Sequence, residues 1–241
     1  MVSPTEPQAK TPTKPIVYPD SDGKPMADNT LQFRWIVTIK ENLELIFADN
    51  PDVFVAGDLL WYPIEGNNKL RVAPDVLVAF GRPKGERGSY KQWQENDIAP
   101  QVVFEILSPT NTLKEMGRKF LFYNDYGVEE YYIYDPEKND LSGWLRGEAE
   151  VPEMARLEII EEMNGWVSPR LEIRFEMNAE TMELYRPDGS PFLDYNTVQQ
   201  RLQQAEQRAE TAEQRAETAE QRAHQLAARL RELGIDPDAL E

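Results

Sequence analysis

The sequence contains no cysteine and only one histidine, and each shortage removes a class of chemistry. Without cysteine the chain cannot form disulfides, thiolate zinc sites or cysteine nucleophiles. Because His224 stands alone near the end of the chain, histidine-based catalytic triads, histidine metal sites and histidine general bases are excluded as well. Any catalysis must therefore use carboxylates, lysine, hydroxyl groups or a metal ion held by oxygen ligands.

Positive charge is also scarce: 26 Lys and Arg stand against 43 Asp and Glu, a net charge of −17. This balance argues against broad electrostatic binding of nucleic acid, although a metal ion and local basic residues can still equip a nuclease cleft. No apolar run approaches the length of a transmembrane helix, and the proline-rich start lacks the apolar core of a signal peptide. We therefore expect a soluble, cytoplasmic protein with no membrane partner.

The composition of the chain changes along its length. We predict a disordered leader over residues 1–25, a folded domain over 26–195, a C-terminal helix over 196–233 and a short tail over 234–241. The aromatic content, with 5 Trp, 10 Tyr and 9 Phe, supports a packed core in the folded part.

Hydrophobic periodicity predicts an α/β domain with a mixed central sheet flanked by helices. Apolar residues at three- and four-residue spacing predict helices over 28–47 and 112–126, and apolar runs predict the strands. A β-rich extension of short strands follows, one of them predicted over 170–175. Residues 81–100 lack periodicity, so we predict a long, functional or mobile loop there, which carries the densest mixture of basic and aromatic side chains in the chain over 82–93.

Two carboxylates stand in runs that are otherwise typical of buried strands. Asp75 opens the run Asp-Val-Leu-Val-Ala-Phe, and Glu105 lies inside Gln-Val-Val-Phe-Glu-Ile-Leu. A buried carboxylate is costly unless it is paired or binds a metal. With the carbonyl of Ile106 or Leu107, of which we select Ile106, the two carboxylates supply the oxygen ligands that Mg²⁺ or Mn²⁺ prefers, and Lys119 can activate the attacking water.

A structural explanation of the same residues stays open at this point. Glu105 can form an ion pair with Arg71 or Lys119, and Glu115 with Lys119 has the i,i+4 spacing of an ordinary helix pair. Perturbed carboxylates occur in structural networks as well as in active sites.

The order of these motifs resembles a known family. A series of motifs together resembles the Uma2 family, of the cyanobacterial type, within the PD-(D/E)XK nuclease superfamily: Pro74-Asp75, Glu105-Ile-Leu-Ser-Pro109, Glu115, Lys119, Tyr123 and Gly127-Val-Glu-Glu-Tyr-Tyr-Ile-Tyr-Asp-Pro136. The resemblance covers roughly residues 26 to 190. It implies a restriction-endonuclease-like fold, a divalent metal cofactor and DNA as the partner.

The resemblance assigns roles residue by residue. Asp75 matches the motif aspartate and Glu105 the second acidic ligand, while Lys119 matches a lysine that has moved from the strand to the following helix. The chain departs from the pattern in two ways: Leu107 stands where the strict motif has lysine, and the first helix has Gln32, Arg34 and Glu41 in the region where many relatives carry a histidine.

The C-terminal segment carries a sustained heptad pattern. Small or apolar residues recur at alternating spacings of four and three: Val198, Leu202, Ala205, Ala209, Ala212, Ala216, Ala219, Ala223, Leu226, Leu230 and Leu233. This pattern predicts a long helix, which forms either a coiled-coil homodimer through 198–233 or a solvated helix with Glu/Arg pairing.

Three functions follow from these observations. The first is a Mg²⁺-dependent endonuclease that hydrolyses DNA phosphodiester bonds. The second is a catalytically inactive nuclease-fold module that assembles through its C-terminal coiled coil. The third is a hydrolase for a phosphoester outside nucleic acids, which the acidic surface would suit.

Overall fold

The computed structural model describes residues 16–23, 25–149, 151 and 154–233. The chain divides into two compact units, Met1–Phe192 and Leu193–Glu241. The described part of the first unit contains the following elements in chain order: α1 (Thr30–Ile46), β1 (Val53–Gly57), β2 (Trp61–Tyr62), β3 (Val76–Phe80), β4 (Tyr90–Lys91), a 3₁₀ turn (Gln92–Gln94), β5 (Val102–Ile106), α2 (Leu113–Asp125), β6 (Glu130–Asp135), β7 (Asp140–Arg146), β8 (Leu157–Ile159), β9 (Arg174–Met177) and β10 (Met182–Tyr185).

The centre of this unit is a six-stranded sheet in the order β1-β3-β5-β6-β7-β8. Only β5 and β6 are parallel neighbours, and α2 makes the crossover between them, as a parallel connection requires. The other neighbours in the sheet are antiparallel. β2 with β4 and β9 with β10 form two small additional sheets. The mixed α/β fold with flanking helices is therefore confirmed.

The two faces of the sheet bury separate hydrophobic clusters because strand side chains alternate between faces. On one face, Ile36, Ile39 and Leu43 of α1 pack with Phe104 and Ile106 of β5, among others. On the other face, the side chains of α2 pack against the intervening strand positions, including Leu77, Val103 and Tyr131. Glu105 shares the parity of Val103 and therefore projects toward α2.

Two of the predicted elements differ from the structure. The strand predicted over 170–175 is wrong at its start, because β9 begins only at Arg174. Glu172 has φ of 56°, a left-handed conformation that no strand accommodates, and the amide of Arg170 donates to Glu130 instead of to a neighbouring strand. The loop predicted over 81–100 contains β4 and the 3₁₀ turn.

The described end of the predicted leader contacts the domain. Tyr62 Oη donates to the carbonyl of Pro19 at 2.6 Å, and the ring of Tyr18 lies 5.0 Å from that of Trp93. Ser89 Oγ donates to Asp20. Residues 17–20 therefore pack on the β2–β4 region, while the disorder predicted for residues 1–15 lies outside the described residues.

The second unit is built on α3 (Tyr195–Glu232), a helix of 38 residues. It begins where Asp194 caps the chain by accepting from the amide of Thr197 at 2.8 Å. α3 has no buried residue. The predicted helix is thus present, but the Glu/Arg pairing expected for a solvated helix is absent: in the described chain, none of Arg201, Arg208, Arg215 and Arg222 forms an ion pair. None of the described helices is long and apolar enough to cross a membrane.

Candidate active site

Asp75 lies directly before β3 and extends the pairing of that strand with β5. The backbone register of the two strands runs to Val76 opposite Phe104. Two residues after Phe104 on β5, the backbone amide of Ile106 donates to Asp75 Oδ2 at 2.6 Å. Among the described residues, the other carboxylate oxygen of Asp75 has no hydrogen-bond partner. Asp75 is 8% exposed, so this free oxygen belongs to a largely buried side chain.

Glu105 is held by two residues of α2 that lie one turn apart. Lys119 Nζ donates to Glu105 Oε2 at 2.6 Å, and Tyr123 Oη donates to Oε1 at 2.5 Å. Residues at i and i+4 share one helix face, which is why both side chains reach the same carboxylate. Glu105 is 2% exposed. Of the two partners left open by the sequence, Lys119 forms the ion pair, whereas Arg71 forms none with Glu105 among the described residues and donates to the carbonyl of Asn68.

The first helix reaches the same pocket through Gln32, whose role the sequence did not suggest. Gln32 Nε2 donates to the carbonyl of Ile106 at 2.7 Å, and its Oε1 accepts from the amide of Asp28. Asp28 in turn accepts from Ser108 Oγ at 2.6 Å. This chain of bonds fixes the end of β5, with the Ile106 amide held by Asp75 and its carbonyl held by Gln32.

The charges in the pocket do not balance. Burial raises the pKa of Asp75 well above its usual value, and the nearby Glu105 charge adds to the effect. Burial alone would lower the pKa of Lys119, but Glu105 and Asp75 outweigh it and raise that pKa. Two carboxylates therefore share one ammonium, which leaves the fully ionised group with one net negative charge.

A further carboxylate, Asp58, lies close enough to act on this group. It follows β1 with φ of 47°, and its amide donates to the carbonyl of Asp75 at 3.2 Å. Burial raises the pKa of Asp58, and Asp22 of the packed N-terminal segment and Glu105 contribute in the same direction. The signal in the sequence is the one that marked Asp75, a carboxylate bordering an apolar strand run.

The donor set suits a small divalent cation. Asp75 offers a free oxygen, Glu105 a second carboxylate and Ile106 a carbonyl with one lone pair not used by Gln32, all of which are hard oxygen ligands. A cation would also offset the surplus negative charge. No group of three or more acidic or histidine side chains with metal-binding geometry exists among the described residues, so the set holds only two carboxylates.

The basic loop over 82–93 is less available than its sequence suggested. Arg82 Nε and Arg87 Nε both donate to the Glu95 carboxylate, at 2.9 and 2.6 Å. Arg87 also lies over the ring of Phe54 at 3.9 Å. Two of the four basic side chains thus stabilise the loop itself, whereas Lys84 is exposed.

The fold and the pocket define a mixed α/β protein with a buried carboxylate–lysine centre between a sheet and a crossover helix. The family model of Uma2, described as "Putative restriction endonuclease", matches residues 24–180. The chain therefore belongs to the Uma2 family.

Two further comparisons add little. No curated protein matches the chain. One similar solved structure is described as a "putative nuclease belonging to DUF820" from Anabaena variabilis ATCC 29413. It is 15% identical, and the match covers 62% of this chain and 78% of that chain with a TM-score of 0.42.

Proposed function

We propose that the protein is a Mg²⁺- or Mn²⁺-dependent endonuclease that hydrolyses DNA phosphodiester bonds. One observation carries the proposal: Lys119 Nζ lies 2.6 Å from Glu105 in the pocket where Asp75 keeps a free oxygen. Membership of a family described as restriction endonucleases supports the choice of reaction and substrate.

In this proposal Asp75, Glu105 and the Ile106 carbonyl hold the metal. When bound, the metal polarises the scissile phosphate and lowers the pKa of the attacking water. Gln32 and Tyr123 position these ligands, since one holds the Ile106 carbonyl and the other Glu105.

Lys119 acts as a cation in this proposal. Its raised pKa keeps the ammonium protonated at neutral pH. It is therefore suited to orient the water and to stabilise the negative charge that develops on the phosphoryl oxygens, rather than to remove a proton. The net charge of −17 restricts DNA contact to local basic positions such as Lys84.

Purified full-length protein would be incubated with supercoiled and linear DNA in Mg²⁺ or Mn²⁺ and compared with Asp75→Asn. The control is Asp49→Asn, which removes the same charge at an exposed position. We expect cleavage by wild type and by the control, and at least a hundredfold loss in Asp75→Asn. Equal background in all three proteins would overturn the proposal.

A second candidate is a nuclease-fold module without catalysis that assembles through α3. It is favoured by the fact that both oxygens of Glu105 already have donors, Lys119 and Tyr123, so that the ion pair satisfies the carboxylate without metal. Calorimetric titration with Mg²⁺ and Mn²⁺ separates the two candidates: binding that Asp75→Asn abolishes supports the endonuclease, and no binding supports the module.

A further inference from the structure

The middle of α3 consists of two identical heptads. Residues 209–215 and 216–222 both read Ala-Glu-Thr-Ala-Glu-Gln-Arg. The alanines occupy positions a and d of the heptad. The glutamate directly after each d alanine lies at position e, and the arginine directly before each a alanine lies at position g. In a coiled coil these two positions flank the contact between helices.

The same charge order extends beyond the identical heptads. Position g is arginine in five successive heptads: Arg201, Arg208, Arg215, Arg222 and Arg229. Position e is glutamate in the three central ones: Glu206, Glu213 and Glu220. One flank of the small-residue stripe is thus basic, and the other is acidic.

A single helix cannot use this arrangement. Ion pairs within a helix need spacings of three or four residues, and the neighbours of Arg208 and Arg215 at those spacings are Gln, Ala and Thr. In agreement, the arginines at 201, 208, 215 and 222 form no ion pair with any residue that the structure describes. The glutamates, by contrast, lie three and four residues from one another, as in Glu206, Glu210 and Glu213, and repel. The charge order therefore does not stabilise an isolated helix.

We propose that α3 pairs with α3 of a second copy of this chain as a parallel, in-register coiled coil. In that arrangement a g residue faces the e residue five positions later on the other helix. Arg201, Arg208 and Arg215 then face Glu206, Glu213 and Glu220 of the second copy. The same arginines of the second copy face the same glutamates of the first, which doubles the number of ion pairs. An antiparallel pair would place g against g and e against e, arginine against arginine and glutamate against glutamate.

The ends of α3 set the register that the identical central heptads leave undefined. Val198 and Leu202 occupy core positions at the start, and Leu226, Leu230 and Leu233 occupy them at the end. Val198, Leu202, Leu226 and Leu233 are 43–73% exposed in the single chain. A shift by one heptad would place Leu202 opposite Ala209 and lose apolar burial at both ends.

A parallel coil has a consequence that rests on the proposed function. In each copy the first unit precedes residue 193 and therefore leads into the start of α3. A parallel coil brings the starts of the two α3 helices together, so the first units of both copies are attached at the same end of the coil. Two nuclease sites held at one end are suited to cutting both strands of a duplex. The coil itself needs no nuclease activity, and its test is independent of cleavage.

The chain has no cysteine, so single cysteines report on orientation directly. Full-length Ala205→Cys and Ala223→Cys carry matched replacements at core positions, and Gln214→Cys at the outer position f is the control. In a glutathione redox buffer, a parallel coil gives disulfides between like sites only, at least tenfold above the control. When the two variants are mixed, an antiparallel coil instead joins position 205 to position 223.

The mixture is resolved by mass. Disulfides confined to like sites support the proposal. A prevailing 205–223 disulfide, or no disulfide above the Gln214→Cys level, overturns it. Sedimentation equilibrium adds a second measurement: Glu213→Lys with Glu220→Lys should weaken dimerisation at least tenfold, whereas Glu210→Lys with Glu217→Lys, the same charge change on the outer face, should not. Equal effects of the two pairs would also contradict the proposed g–e pairing.

Discussion

Replacing Asp75 by asparagine should make the metal-free protein more stable while it removes the proposed activity. The ionised pocket of Asp75, Glu105 and Lys119 carries one surplus negative charge, and the substitution brings it to zero. Asparagine is nearly the same size and its amide oxygen can still accept from the Ile106 amide. The expected gain at pH 7 is about 1–3 kcal/mol, the usual cost of a buried polar group that lacks a partner.

The sign of the pH dependence follows from the direction of the shift. The pKa of Asp75 is raised in the folded state, so the folded chain holds a proton that the unfolded chain has released above the ordinary value of 3.8. The contribution of Asp75 to wild-type stability therefore falls as pH rises from 3.8 through the folded-state pKa. Asparagine does not titrate, so the difference between the proteins should vanish at pH 3.5 and grow toward pH 7.

Urea unfolding in EDTA at pH 3.5, 5 and 7 measures the difference. All five tryptophans precede residue 193, so their fluorescence reports on the first unit without interference from α3. Asp49→Asn is the matched surface control. Adding Mg²⁺ should then stabilise wild type by about 2.7 kcal/mol at a hundredfold excess over Kd, and the variant much less. A variant that is less stable than wild type at pH 7 would refute the account of an uncompensated carboxylate.

Two further substitutions test the burial of charge. Lys119→Met should lower the free energy of unfolding by about 3–5 kcal/mol, because Glu105 loses its buried counter-ion. Urea unfolding measures this loss, and the control Lys138→Met, whose side chain is 78% exposed, should show almost no change. Similar losses in both variants would contradict the buried pair. Ser168→Ala should cost about 1–3 kcal/mol, since the hydroxyl of Ser168 donates to the buried Glu130 and accepts from the amide of Leu171. Thermal unfolding measures this loss of stability. An unchanged midpoint would show that the hydrogen bonds of Ser168 with Glu130 and Leu171 contribute nothing to stability.

Local patterns were sufficient for most of the elements and drew attention to two residues of the candidate site. The strand runs around Asp75 and Glu105 were evident because burial of both faces leaves a continuous apolar stretch, in which a carboxylate stands out. α3 was equally clear, since a heptad repeat is a property of one segment. The strand expected at 170–175 failed because a left-handed Glu172 and a hydrogen bond to Glu130 depend on partners elsewhere in the chain.

The class of fold, the long helix and the unusual carboxylates at 75 and 105 could thus be predicted from the order of residues. Packing of distant segments was needed to establish that Lys119 pairs with Glu105, that Gln32 holds the Ile106 carbonyl and that Asp58 borders the pocket. The reason is distance along the chain: Gln32 and Ile106 are 74 residues apart, and no local pattern records which side chains meet when a helix packs on a sheet.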